Sequence, residues 1–358
     1  MAYKLDALEA LLLFKTLART YDIYAPKRFP GEGRYSDTDL IRYAQVSEPG
    51  EVVWDQMSDL PAKEVITPIQ ETIFYFTGDD YRPSPAPTKP RLVFVRPCDI
   101  NAQSIQDEIF IGNGAQPDYF YKRKRDLVRF AMMECGGGDD TCFCVSMGQN
   151  KTDEYSIGCR FNSDGSLDVT VKDPEFEQYF AQADTTDYDF HFVEENKDLT
   201  VHIPDLDDRD VRLRLKSHPM WNEYNSRCIS CGACTVACPT CTCFVLRDVI
   251  WSDDTQVGER RRIAYSCEVP GFDIMAGQRE MRGNAAARMR YKVLHKFHDH
   301  KARFGTQQMC IGCGRCSTRC PELISLPATV DKVNQAVAEI KAQIAAEAAV
   351  SASAEKEA

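Results

Sequence analysis

Apolar residues recur at helical spacing early in the chain. Between Leu8 and Ala18 they fall on one face, with Asp6, Glu9 and Lys15 around them, which predicts an amphipathic helix. Further on the pattern shortens to apolar runs of strand length. Leu92–Val95, Leu127–Met133 and Leu167–Val171 read as strands, and Tyr188–Val193 and Leu199–Ile203 are weaker candidates. Pro83, Pro85, Pro87 and Pro90 mark a loop before the first strong strand. Asp207–Tyr224 reads as a helix. Beyond Pro327 the chain is rich in Ala, Glu and Lys, which predicts a helix over Thr329–Ala348 and then a loose tail. The first 215 or so residues are therefore mixed α/β.

Composition narrows the class. The chain has 358 residues, enough for two or three domains, and 43% of them are apolar, enough for a sizeable core. It holds no apolar run of membrane-spanning length, and the apolar stretch at Leu11–Phe14 is too short and too charged in its flanks for a secretory signal. A net charge of −11 argues against nucleic acid as a partner. No membrane contact and a cytoplasmic location are expected. Sixteen cysteines in a reducing compartment point to metal or cluster ligation rather than disulfides. No G-x-G-x-x-G follows any predicted strand, so no dinucleotide site is expected in this chain.

The cysteines carry the chemistry. Cys228, Cys231, Cys234 and Cys238 precede Pro239, and Cys310, Cys313, Cys316 and Cys320 precede Pro321. Both stretches spell C-x₂-C-x₂-C-x₃-C-P, the spacing that binds [4Fe–4S] clusters. Three thiolates two residues apart wrap three corners of a cubane, and the fourth ligates the other cluster. Cys228, Cys231, Cys234 and Cys320 are thus assigned to cluster 1, and Cys310, Cys313, Cys316 and Cys238 to cluster 2. Zinc ribbons need only two C-x₂-C pairs and neither the third cysteine nor the C-P ending. With the apolar pattern, this spacing predicts an α/β N-terminal domain over 1–215 and an α+β ferredoxin-like two-[4Fe–4S] domain over 216–328. A large insertion at 244–305 interrupts the second domain, and a C-terminal helix and tail occupy 329–358.

Three features lie outside the double motif. Cys98 and Cys135 each follow a predicted strand, and Cys142 and Cys144 follow across a glycine run. Adjacent parallel strands would bring all four to one sheet edge, as a third [4Fe–4S] site, a zinc site or inert buried thiols. Cys159, Cys241, Cys243 and Cys267 remain; Cys241 and Cys243, close behind the first motif, read as shields for a cluster or one of them as a replacement for Cys238. Lastly, Arg260–Arg303 holds eleven Lys and Arg against four Asp and Glu. It reads as a salt-bridged solvated face, as compensation for anionic clusters, or as a dock for an acidic partner. His295, His298 and His300 within it read as surface or packing residues.

At these motifs the chain resembles the iron–sulfur electron-transfer subunit of anaerobic sulfite reductase. The resemblance runs through Gly33–Asp39, Arg96–Ala102, Cys142–Gly148, Ser226–Cys243, Gly258–Arg262, Cys267–Phe272 and Gly312–Cys316. The β subunit of cytoplasmic nickel–iron hydrogenases, or sulfhydrogenases, is similar in cysteine layout and is the alternative. The resemblance implies an electron-transfer subunit with no catalytic residues of its own. Electrons would come from a flavin- and NADH-binding subunit. They would leave to a sirohaem subunit that reduces sulfite to sulfide. The resemblance also implies that Cys98, Cys135, Cys142 and Cys144 carry the third cluster.

Overall fold

The computed structural model describes residues 1–252 and 256–357. The N-terminal half runs β1 (Ala2–Leu5), α1 (Ala7–Thr20), β2 (Asp22–Phe29), β3 (Leu40–Gln45), β4 (Gln70–Thr77), β5 (Asp80–Pro83), β6 (Arg91–Val95), α2 (Pro97–Phe110), α3 (Tyr119–Arg125), β7 (Val128–Met133), β8 (Ile157–Phe161), β9 (Leu167–Val171) and β10 (Asp184–Thr185). Eight of these strands form one sheet in the order β10-β1-β9-β8-β7-β6-β2-β3. Its centre, β2, β6, β7 and β8, is parallel. The flanks are antiparallel.

Alternation along the central strands explains the layers. Leu92, Phe94, Ala131 and Met133 pack with Phe14 and Leu17 of α1 on one side. Val93, Val95, Phe130 and Met132 pack with Ile100 of α2 and Tyr121 of α3 on the other. The period of two gives each strand a face for each layer. The predicted first helix is α1, opened by a capping box in which Asp6 accepts from the Glu9 amide and Glu9 from the Asp6 amide.

The second half runs α4 (Arg209–Lys216), α5 (Tyr224–Arg227), α6 (Ala233–Val236), β11 (Phe244–Ser252), β12 (Val257–Ala264), α7 (Ala285–Leu294), α8 (His300–Phe304), α9 (Arg315–Thr318) and α10 (Leu326–Glu357). Its core gathers Val211, Leu215, Trp221, Met289, Val293, Val330, Val333 and Val337. Among the described residues, no helix is long and apolar enough to cross a membrane.

Four sequence expectations differ from the structure. Tyr188–Val193 and Leu199–Ile203 form no strand. Phe190 instead plugs the sheet core and Val201 the second core. The stretch Asp207–Tyr224 breaks after Lys216, because Pro219 lacks an amide to continue the helix and starts a short 3₁₀ turn. The C-terminal helix begins earlier, at Leu326, with Pro327 in its first turn where an amide is not needed. Finally, the insertion expected at 244–305 within the second domain also joins a segment of the N-terminal domain. Its hairpin β11–β12 continues through β4 and β5 into a four-stranded antiparallel sheet, so 70–83, 244–252 and 257–264 fold together.

The halves meet where α2 packs on the second cysteine loop, through Ala102, Ile105, Met309, Ile311 and Cys313. Within that contact Arg315 is 2% exposed and Asp99 4% exposed. Arg315 Nη1 and Nη2 reach the two Asp99 oxygens at 2.7 and 2.9 Å, and Nε donates to the Ser58 carbonyl at 2.9 Å. Removing one partner of such a pair leaves a buried charge alone, at a cost of about 3–5 kcal/mol. Asp99→Ala is therefore expected to lower the thermal unfolding midpoint sharply. A midpoint equal to wild type in a calorimetric scan would show that the pair does not join the halves.

Candidate iron–sulfur sites

Each cysteine motif folds as a loop followed by a single helical turn. Gly232 and Gly314 cap α6 and α9 with φ of 77° and 75°, and Ser230 and Gly312 also adopt positive φ. These left-handed residues bend the backbone inward, so that the cysteines at i and i+3 face a common space. Two cavities result. Cys228, Cys231, Cys234 and Cys320 line the first, with Lys292, Glu268 and Cys316. Cys238, Cys310, Cys313 and Cys316 line the second, with Lys296 and Phe143. The fourth cysteine of each motif thus sits on the wall of the other motif's cavity.

The N-terminal cysteines also gather. Cys98 stands in the first turn of α2, just past β6, and Cys135 lies just past the parallel neighbour β7. Cys144 is close enough to both for mutual repulsion of their thiolates to count. Cys142 follows a turn made by Gly137 and Gly138, both at positive φ. The Asp139 amide donates to its sulfur at 3.3 Å. Asn196 Nδ2 donates to Cys144 Sγ at 3.5 Å.

This group presses directly on the second motif. A Cβ on Gly312 would lie 2.5 Å from the Phe143 carbonyl carbon, and one on Gly314 would lie 2.5 Å from the Thr141 carbonyl oxygen. Only glycine permits that approach. The Cys142 thiol donates to the Cys313 carbonyl at 3.6 Å. The three cysteine groups therefore form a contiguous row.

Electrostatics decide what these sites suit. Burial pushes most of the thiols upward, Cys316 and Cys142 to about 12. Thiolates there need compensating positive charge. The fold supplies it. Lys292 and Lys296 lie one turn apart, 4% and 2% exposed. Burial opposes the Lys292 ammonium, yet Cys234, Cys316 and Glu268 outweigh burial and hold it charged. Lys296 Nζ donates to Cys238 Sγ at 3.2 Å and to Thr240 Oγ1 at 3.1 Å. The thiol of Cys241 and then Lys296 and Lys63 hold Cys238 well below the ordinary thiol range, against burial. Lys63 Nζ itself donates to the carbonyls of Cys238 and Cys241 at 2.6 and 3.0 Å. Arg96 faces Cys135 and Cys98.

The donor chemistry fits [4Fe–4S] clusters: soft thiolates in fours, buried cations beside them, and amides turned toward sulfur. Among the described residues, no group of three or more His, Cys, Asp or Glu converges on a single ion. Sequence reasoning missed Lys63, Arg96, Asp99, Arg315 and Asn196 as neighbours of these sites. The one available signal was Lys292 and Lys296 at i,i+4 inside the basic island. Much of the rest of that island is salt-bridged, as with Arg260 to Asp248, Arg262 to Asp118 and Arg282 to Asp273. His300 is buried between the Gln307 carbonyl and Glu108, and His298 pairs with Asp299. Cys159 is buried in β8, its thiol on the Met132 carbonyl at 3.4 Å.

Residues 227–324 match the family described as a 4Fe-4S dicluster domain. The class is therefore an iron–sulfur electron-transfer protein with [4Fe–4S] clusters. Across almost its full length the chain is similar to the sulfhydrogenase 2 subunit beta of Pyrococcus furiosus. Identity is 27% over 341 residues, which is 90% of this chain and 95% of the relative. The chain is thus an iron–sulfur protein related to sulfhydrogenase beta.

Two expectations follow from the geometry. Cys320→Ala should damage the cluster on Cys228, Cys231 and Cys234 and spare the one on Cys310, Cys313 and Cys316. Selective loss of the latter, read by iron content and low-temperature EPR, would overturn the crossed arrangement. Lys296→Met should make the cluster beside Cys238 harder to reduce, because a cation that favours the reduced form is gone. A unit charge at about 5 Å in an effective dielectric of about 20 is worth roughly 3 kcal/mol, on the order of 100 mV for one electron. Lys296→Arg should keep most of the potential in a redox titration; equal potentials in wild type and Lys296→Met would remove Lys296 from this role.

Proposed function

We propose that this chain is the electron-relay subunit of a multi-subunit oxidoreductase, with three [4Fe–4S] clusters along one path. Cys228, Cys231, Cys234 and Cys320 hold cluster 1. Cys310, Cys313, Cys316 and Cys238 hold cluster 2, and Cys98, Cys135, Cys142 and Cys144 hold cluster 3. The observation that carries this reading is the row itself: two cavities ringed by crossed cysteines and a third cysteine group packed on the second loop. The clusters supply one-electron transfer when bound. The residues of the chain hold them, offset their charge and keep water away from the buried sulfurs.

A relay needs a donor and an acceptor. On this reading a flavin- and NADH-binding subunit delivers electrons in the cytoplasm. The relation to sulfhydrogenase 2 subunit beta favours a hydrogenase-type catalytic partner that holds nickel and iron. A second reading keeps a sirohaem subunit that reduces sulfite to sulfide. The local matches at Arg96–Ala102, Cys142–Gly148 and Cys267–Phe272 favour it.

Anaerobic purification with whatever binds, followed by metal and haem analysis, separates them. Nickel in the complex is expected on the first reading and sirohaem on the second. A colourless chain without iron would defeat both.

A further inference from the structure

Cys241, Cys243 and Cys267 are assigned to none of the three clusters. The β11–β12 ladder pairs Phe244 with Ala264 and Val245 with Ile263. The Tyr265 amide continues it, donating to the Cys243 carbonyl at 2.9 Å. That bond sets Cys243 opposite Tyr265, so Cys267, two residues on, is the diagonal neighbour of Cys243. Cys243 and Cys267 each shift the other's ionisation, as do Cys241 and Cys238, so the sulfurs of each pair lie near one another.

All three open onto a cavity walled by Tyr291, Lys292, Lys296 and Arg303. It is roomier than either cluster cavity. Cys267 is 5% exposed, whereas Cys243 is only half-buried. A more accessible thiol beside a buried one in the same cavity is the layout of thiol–disulfide exchange, the first attacking and the second resolving. Both lysines border this cavity, and each also borders one cluster cavity, Lys292 the first and Lys296 the second, so the dithiol lies against the electron path.

We infer that Cys243 and Cys267 form a redox-active dithiol that reduces a low-molecular-weight organic disulfide with electrons from the adjacent clusters. This rests on the cluster reading above. The Cys243 thiolate attacks one sulfur of the substrate, forming a mixed disulfide and releasing one substrate thiolate. The Cys267 thiol loses its proton and attacks the Cys243 sulfur. That step breaks the mixed disulfide, releases the second thiolate and leaves a Cys243–Cys267 disulfide. Two electrons, delivered one at a time, and one proton restore the Cys243 thiolate and the Cys267 thiol. The net change is one disulfide and two electrons to two thiolates. Arg303 and the lysines make the cavity suited to an anionic substrate.

The probe is glutathione disulfide, added to the full chain purified without oxygen and photoreduced with a deazaflavin. Wild type is expected to lose its reduced-cluster EPR signal, and Cys243→Ser to keep it. Cys267→Ser should accumulate glutathione on Cys243 in peptide maps. Should that variant not fold, differential alkylation of oxidised wild type reads the same pair, with a Cys243–Cys267 disulfide expected. Both thiols free after oxidation, glutathione on another cysteine, or equal loss of signal in Cys243→Ser overturns the proposal. Wild type without iron would instead fail the cluster reading itself; iron with unreactive thiols fails the dithiol alone.

Discussion

Arg315 and Asp99 join two parts of the chain that hold different cysteines. Asp99 follows Cys98 in the first turn of α2, and Arg315 lies between Cys313 and Cys316. A two-point ion pair in a dry interior has one geometry that satisfies it, so it fixes distance and orientation together. Attraction to Asp99, and to Cys313 beyond it, outweighs the burial that opposes the Arg315 charge. The same clamp takes in Ser58, so the loop after β3 is held to the second motif as well. Through it the α/β half and the dicluster half share one packed interface.

Charge compensation explains the rest of the interior. Clusters with four thiolates are anionic in every working state, and a low-dielectric interior magnifies that charge. Lys292, Lys296, Arg96 and Arg315 all lie buried against cysteines. Residue choice follows geometry. Arginine stands where a planar fork meets the two oxygens of Asp99. Lysine stands where a compact ammonium must meet a sulfur and a hydroxyl at once, as Lys296 does with Cys238 and Thr240.

The motifs and several strands of the large sheet could be read from sequence because both have strict spacing. Leu167–Val171 alternates cleanly, and the double C-x₂-C-x₂-C-x₃-C-P has few other uses. What could not be read was long-range. Nothing local says that Gln70–Thr77 pairs with a hairpin that begins near residue 244. Nor does the sequence distinguish Lys292 and Lys296, turned inward, from Arg260 and Arg282, bonded to Asp248 and Asp273. Gly312 and Gly314 sit in the second cluster loop, and their tightest constraint is the backbone of residues 141–144 pressed against them.

The insertion has a mechanical reason in this arrangement. The crossed cysteines require the chain to leave Cys238 on the wall of one cavity and return with Cys310 on the same wall. Seventy-one residues lie between them. A flexible loop of that length would cost closure entropy and leave the cavities open. The chain instead spends those residues on β11–β12, pinned to β4, and on α7, whose face carries Lys292 toward one cavity. The π-turn His295–Asp299 that follows carries Lys296 toward the other. A π-turn adds a residue to the helical cycle and is common at functional sites. Here it lets two lysines four residues apart serve different cavities, which a straight helix would aim along one line. The segment that separates the motifs in sequence is thus the one that places a cation beside each.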